Sequence, residues 1–306
     1  MNKFDLQIQT VASDGKHSSH EIVKMAKNLG IHTIAITDHD TIAGVEEALL
    51  AGGEYEIRVI SGVEMSVEEH NSHILGLGVD FRDERFLSVL ENLRRGRIES
   101  LKKLVENLKV NAGFVVEWED VLKEAGGATT IASPHVVYAV LNRAENRAKL
   151  ARDGVSQKFE FYNKYLADNG PNHVKRSHMS AREAIATIQD TGGTAVWSHP
   201  ALNFHGNYEE LEKFLKDLMA WNLNGIEVFN PSHTEDDVEF LESLAHKYNL
   251  LKTGGSDFHD AGTHTRNEKG LHSADTLGDY ETYGFATGDI IEKLDEAIAK
   301  KRVATG

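Results

Sequence analysis

Short apolar runs alternate with stretches of helical period along most of the chain. The first run, Phe4 to Ile8, precedes Ser19 to Leu29, where Ile22, Val23, Ala26 and Leu29 recur on one face and Gly30 follows. This predicts a strand, an amphipathic helix and a glycine C-cap. Thr33 to Thr37 predicts a second strand, Ile42 to Leu50 a helix, and Arg58 to Val63 and Ile74 to Val79 two further strands. The rhythm resumes at Thr194 to Trp197, Gly225 to Phe229 and Leu250 to Thr253, with a helix over Tyr208 to Trp221. Near-continuous apolar strands separated by helices predict a parallel sheet, and their number predicts an α/β barrel of about seven βα units.

Residues 97 to 179 break this rhythm. Helical segments, the Gly126-Gly127 junction and the turn Asp168-Asn169-Gly170-Pro171 predict an inserted, mostly helical subdomain. The barrel is therefore expected over 1–96 and 180–306, and the insert over 97–179. With 306 residues and 40% hydrophobic content, the chain can bury a core of that size. No basic segment followed by an apolar stretch opens it, and no run approaches the roughly 20 apolar residues of a membrane helix. Together with zero cysteines, which exclude disulfides and thiolate zinc sites, this predicts a cytoplasmic protein without a membrane role.

Charge narrows the partners. Lys and Arg number 33 against 48 Asp and Glu, a net −15, which repels a long nucleic-acid duplex. A nucleotide or short oligomer held through bound cations remains compatible. Nothing in the sequence marks a protein partner.

Polar clusters follow almost every predicted strand, where catalytic groups gather in such barrels. They are Ser13-Asp14-Gly15, Thr37-Asp38-His39-Asp40, Glu64 after the third strand, His73 opening the fourth, Ser198-His199-Pro200, Asn230 with His233, and Ser256-Asp257-Phe258-His259. Asp257 and His259, two apart, share one face of an extended segment. Three ionisable groups follow the second strand where a helix cap needs one. His39 is therefore read as a ligand, and Asp38 and Asp40 as supporting or capping groups, capping fitting Asp40-Thr41 best. Carboxylates and imidazoles without thiols suit Mn²⁺, Fe²⁺, Zn²⁺ or Mg²⁺. Gly52-Gly53 and Gly192-Gly193 read as helix ends. No Ser or Cys sits in a nucleophile motif, and no glycine-rich phosphate loop follows the first strand.

The segments FDLQIQTVASDG, GIHTIAITDHDT, VISGVEMS, HILGLGVD, AVWSHP and GGSDFH, in this order across almost the whole chain, resemble the PHP (polymerase and histidinol phosphatase) family. The resemblance is greatest to its stand-alone phosphoesterases, which include 3′,5′-nucleotide bisphosphate phosphatases and a 5′-end exoribonuclease. It implies a distorted (β/α)₇ barrel with an inserted subdomain and two to three divalent metal ions. Asp14, His39 and His259 would hold one ion, and Glu64, His73 and His199 another. Glu64 would bridge to a third, completed by Asp257 and two histidines of the first motif.

That motif usually reads Asp-Leu-His-x-His-Thr, and here it reads Asp5-Leu6-Gln7-Ile8-Gln9-Thr10. Alternation with Leu6 and Ile8 still points both amides at the site, but an amide oxygen is a poorer ligand than imidazole for Mn²⁺, Fe²⁺ or Zn²⁺. At most two well-held ions are therefore expected. The resemblance implies hydrolysis of a nucleotide phosphate ester by metal-bound hydroxide, with Asp257 or His199 handling a proton, at a rate reduced by Gln7 and Gln9. The alternatives are a 5′-to-3′ exoribonuclease acting on short RNA and a catalytically silent metal- and nucleotide-binding protein. Ser133-Pro134-His135 resembles an Arg-Pro-His segment, which makes His135 a candidate substrate contact. Arg176 is a second, while Arg94, Arg95, Arg97 and Lys175 read chiefly as solvated charge, with anion contact the other reading.

Overall fold

The structure, a computed structural model, describes residues 3–166, 170–175, 179–204, 206–261 and 274–305. Its sheet contains β1 (Phe4–Asp5), β2 (Thr33–Ile36), β3 (Arg58–Ser66), β4 (His73–Leu77), β5 (Thr194–Trp197), β6 (Gly225–Phe229) and β7 (Leu251–Gly254), paired in sequence order. The barrel closes where β1 meets β7. Leu6 N donates to Gly254 O at 3.1 Å, Gln9 N donates to Phe258 O at 3.0 Å, and Ile8 bridges Phe258.

One strand corrects the expectation of a parallel sheet. β4 runs antiparallel to both β3 and β5, while the other pairs are parallel. Only residues 67–72 join β3 to β4, around a short 3₁₀ turn at Glu69–Asn71. A parallel crossover needs about a dozen residues or more, so this connection can only reverse the chain. His70 and Asn71 both take a left-handed φ of 52° to do so. The reversal sets Ser66, which ends β3, opposite His73, which begins β4. A side chain from the start of β4 therefore joins those from the C-terminal ends of its neighbours.

The helices are α1 (Ser19–Leu29), α2 (Val45–Tyr55), α3 (Glu84–Val110), α4 (Trp118–Ala125), α5 (Ser133–Leu141), α6 (Arg147–Arg152), α7 (Lys158–Tyr165), α8 (Ala181–Asp190), α9 (Tyr208–Ala220), α10 (Glu235–Tyr248) and α11 (Ile290–Thr305). A Ser18–Glu21 capping box starts α1, and Gly30 ends it at φ 72°, as its sequence predicts. The second helix departs from expectation by continuing through Gly52-Gly53. Gly52 is required by packing instead, since a Cβ there would lie 2.7 Å from Ile57 O and 2.8 Å from Val59 Cγ2. Gly192, at φ 75°, follows α8 as a helix end.

The long helix α3 passes through residue 97 without a break, so the expected boundary falls inside one element. Its first half sends Phe86 and Leu90 into the barrel's apolar core. Its second half sends Leu101, Leu104 and Leu108 into a separate cluster with Phe114, Val121, Val136, Val140 and Phe161 from α4, α5, α7 and their connections. That cluster is held beside the strand ends by a shared rod. Among the described residues, no helix is long and apolar enough to cross a membrane.

Candidate metal centre

Glu64 is the fully buried hub of the barrel mouth. Its Oε1 lies 3.1 Å from His73 Nδ1 and 3.2 Å from His199 Nε2, and its Oε2 lies 3.6 Å from His39 Nδ1. Burial alone would push this carboxyl upward, but His39, His73 and the His199 hydrogen bond hold it well below the usual range. Two potential chelating groups share His39. Asp14, His39 and His259 place ligand atoms within 4.8 Å of one another, as do His39, Glu64 and His73. Asp14 Oδ1 and His39 Nδ1 are buried without a hydrogen-bond partner among the described residues. Burial also lowers His39, favouring the neutral imidazole that can ligate. Orphaned donor atoms of this kind fit divalent cations.

The site's other predicted members surround this pair of groups. His199 takes a strained φ of 28° after β5, its N–H donating to Glu227 Oε2 at 2.9 Å, and this turn swings its ring beside Glu64. His259 Nδ1 faces Asp257 O at 2.7 Å, leaving Nε2 toward Asp14 Oδ1 at 3.5 Å. Asp257, with a φ of 49°, is buried. Burial, followed by Glu64, Glu227 and Asp14, raises its carboxyl well above the ordinary value.

The altered first motif faces the same hub but presents the wrong atoms for a third ion. Gln7 Nε2 donates to Glu64 Oε1 at 3.1 Å, and Gln9 Nε2 donates to Glu64 Oε2 at 2.6 Å. Gln9 Oε1 accepts from the His39 N–H at 3.1 Å. A backbone N–H can only donate, so this contact fixes the amide with its nitrogen toward Glu64. Positive N–H dipoles occupy the side of Glu64 where a third cation would have to bind. These residues do not fit a third ion as they stand.

Beyond the strand ends, His135 on α5 is buried, and its Nδ1 accepts from Ala132 N at 3.0 Å. The ring therefore carries its proton on Nε2, within electrostatic reach of Asp14. Arg176 lies outside the described residues. Arg95 is exposed beside Glu91, Arg94 donates to Glu91 and to Asp40 O, and Lys175 pairs with Glu68. Arg97 is not solvated charge. It forms a buried ion pair with Asp40 and donates to Ser66 Oγ at 2.6 Å. Asp40 also accepts from Ser66 N at 3.0 Å, which replaces the capping role expected of it. Asp38 instead accepts from Thr10 N at 2.7 Å and Ser13 Oγ at 2.6 Å, fixing the Asp14 loop.

One group at this site escaped the sequence reading, and a second was read only as part of the first motif. Glu227 is a buried carboxylate within the apolar strand Gly225–Phe229, with one oxygen lacking a hydrogen-bond partner among the described residues. Its flanking hydrophobics hid it. Asp5 is buried and accepts from Ser256 Oγ at 2.5 Å and Gly278 N at 2.7 Å, tying β1 to the segment after β7.

A barrel whose mouth gathers these acids and imidazoles around Glu64 is that of a metal-dependent phosphoesterase. The chain belongs to the PHP domain family, whose pattern it matches over residues 5–221. It is 32% identical over 260 residues to a 5′-3′ exoribonuclease of Haemophilus influenzae, covering 84% of this chain and 90% of the relative. It is 28% identical over 268 residues to a 3′,5′-nucleoside bisphosphate phosphatase of Chromobacterium violaceum, covering 86% and 89%. Among solved structures, a candidate metal-dependent phosphoesterase from Bifidobacterium adolescentis superposes with a TM-score of 0.76 at 26% identity, covering 96% of each chain.

Proposed function

We propose that the chain hydrolyses a phosphate ester of a nucleotide, using two divalent ions where the usual family motif provides for three. The carrying observation is the pair of amide N–H contacts from Gln7 and Gln9 to the two oxygens of Glu64. Asp14, His39 and His259 would hold one ion, and Glu64, His73 and His199 the other. When bound, such ions supply Lewis acidity toward a phosphoryl oxygen and acidify water. Glu64 contacts His39 of the first group and both imidazoles of the second, which keeps these three rings oriented. His135 offers its Nε2 proton to a phosphate oxygen beside Asp14. Asp257, raised by burial and by neighbouring carboxylates, is the group best suited to exchange a proton with water or leaving group, and His199 is the alternative.

Amides at Gln7 and Gln9 lower turnover in this reading, because they neutralise Glu64 only partly. A paired assay of the wild type and a Gln7→His/Gln9→His variant tests it. Phosphate release from a nucleoside 3′,5′-bisphosphate and a 5′-monophosphate would be followed, with metal content measured alongside. The double variant is expected to bind one further ion and turn over faster. No gain in either quantity overturns the assignment of a lost third ion. The similarity to an exoribonuclease supports a second reading, stepwise trimming of short RNA, for which release of mononucleotides from a 5′-labelled oligomer is diagnostic.

A further inference from the structure

Lys158 opens α7, and its side chain makes no hydrogen bond or ion pair with any described residue, although it is half-buried. The helix that carries it is firmly placed. Phe161 is buried in the insert's apolar cluster with its ring centroid 5.4 Å from that of Phe114. Tyr162 Oη lies 2.7 Å from Oγ of Ser133, the first residue of α5. Lys158 and Tyr162 are four residues apart, so they share one face of α7. That face is turned toward the start of α5, where His135 lies two residues beyond Ser133. The ammonium thereby comes within electrostatic reach of both Asp14 and Asp257.

This position has a consequence for an anionic substrate. The mouth holds the buried carboxylates Asp14, Glu64, Glu227 and Asp257 in a protein of net charge −15. Ions bound at Glu64 and Asp14 would neutralise the phosphoryl group being cleaved, but any further negative charge on the substrate meets an acidic surface. Ser133 cannot meet it, since its hydroxyl is engaged by Tyr162 and carries no charge. An uncommitted cation within electrostatic reach of Asp14 and Asp257 can.

We propose that Lys158 is a specificity-determining residue that holds a second, non-scissile phosphate of the substrate. The proposal rests on the phosphoesterase reading above and deepens it: the preferred substrate carries at least two phosphate groups. A charge-assisted contact of this kind changes affinity by about tenfold or more.

The test uses full-length wild type and the variants Lys158→Gln and Lys158→Arg, loaded with Mn²⁺. Binding of a nucleoside 3′,5′-bisphosphate and of the matching monophosphate that keeps only the phosphate cleaved from it is measured by calorimetry, and KM and kcat are measured for each. Lys158→Gln is expected to weaken the bisphosphate about tenfold in Kd and KM while leaving monophosphate affinity and both kcat values within about twofold. Lys158→Arg should recover most of the loss, and unchanged circular dichroism should show that α7 remains folded. Equal losses for both nucleotides, or none for either, would overturn the assignment. If the wild type binds both nucleotides but cleaves neither, the phosphoesterase reading fails, and the affinity ratio still decides the role of Lys158.

Discussion

Gln9 Nε2 reaches Glu64 Oε2 at 2.6 Å, the shortest of the contacts that satisfy this buried carboxylate. The amide does for one oxygen what a cation would do, with a partial charge in place of a full one. Replacing Gln9 with Leu removes the donor and leaves Oε2 short of partners. The metal-free protein should lose about 1–3 kcal/mol of stability, measured by urea unfolding in EDTA. An unchanged midpoint would show that Glu64 does not depend on the amide.

Metal removal should act in the opposite sense to this internal compensation. Chelation leaves Asp14, Glu64 and Asp257 facing one another, and re-addition of Mn²⁺ at a hundred times its Kd should restore about 2.7 kcal/mol. A calorimetric titration should reach saturation at no more than two ions per chain. A third tight ion would contradict the orientation of Gln7 and Gln9.

The candidate cluster at the barrel mouth was largely visible in the sequence because most of its acids and imidazoles follow an apolar run that reads as a strand, while His73 opens one. Direction was not visible in the same pattern. An apolar run such as Ile74 to Val79 reads alike either way, and only the six-residue connection before His73 shows that β4 must reverse. Glu227 and Lys158 were hidden for opposite reasons, one among strand hydrophobics and the other as an ordinary helix lysine. Their roles depend on neighbours 28 and more residues away, such as His199 for Glu227 and Asp14 for Lys158.

The buried Arg97–Asp40 pair joins α3 to the loop carrying His39. Substitution of Arg97 by Met leaves Asp40 as an uncompensated buried charge, and a loss of about 3–5 kcal/mol is expected from thermal or urea unfolding. Lys at this position keeps the charge but not the fork, so an intermediate loss should appear. A Met variant as stable as the wild type would return Arg97 to the class of solvated charges.

His233 should make the protein acid-sensitive. Burial lowers it from the usual 6.5 to about 4, while its Nδ1 is held against Val228 O at 2.9 Å. The unfolded chain therefore binds a proton between these values when the folded chain does not. Stability from the neutral ring is full above pH 6.5 and is lost as pH falls toward 4, by about 3 kcal/mol. Comparing urea unfolding of wild type and His233→Gln from pH 7 to 4.5 in EDTA isolates this contribution. The difference between them should shift in the variant's favour on acidification, and a constant difference would rule the effect out.

Barrel closure provides a last contrast, between two glycines. A Cβ on Gly255 would lie 2.5 Å from Gln7 Cβ and 2.6 Å from Gln7 N, at the seam where β1 meets the segment after β7. Backbone cannot move aside there without shifting Gln7 just after β1 and Asp257 just after β7. A Cβ on Gly53, inside α2, would meet nothing within 4 Å. Gly255→Ala should therefore cost about 1–3 kcal/mol or more and weaken Mn²⁺ binding. Gly53→Ala should instead stabilise by up to about 1 kcal/mol, because alanine favours a helix interior, and should leave metal affinity unchanged. Thermal unfolding and Mn²⁺ titration of the two variants side by side separate these effects. If both behave alike, close approach at the seam is not what the glycine provides.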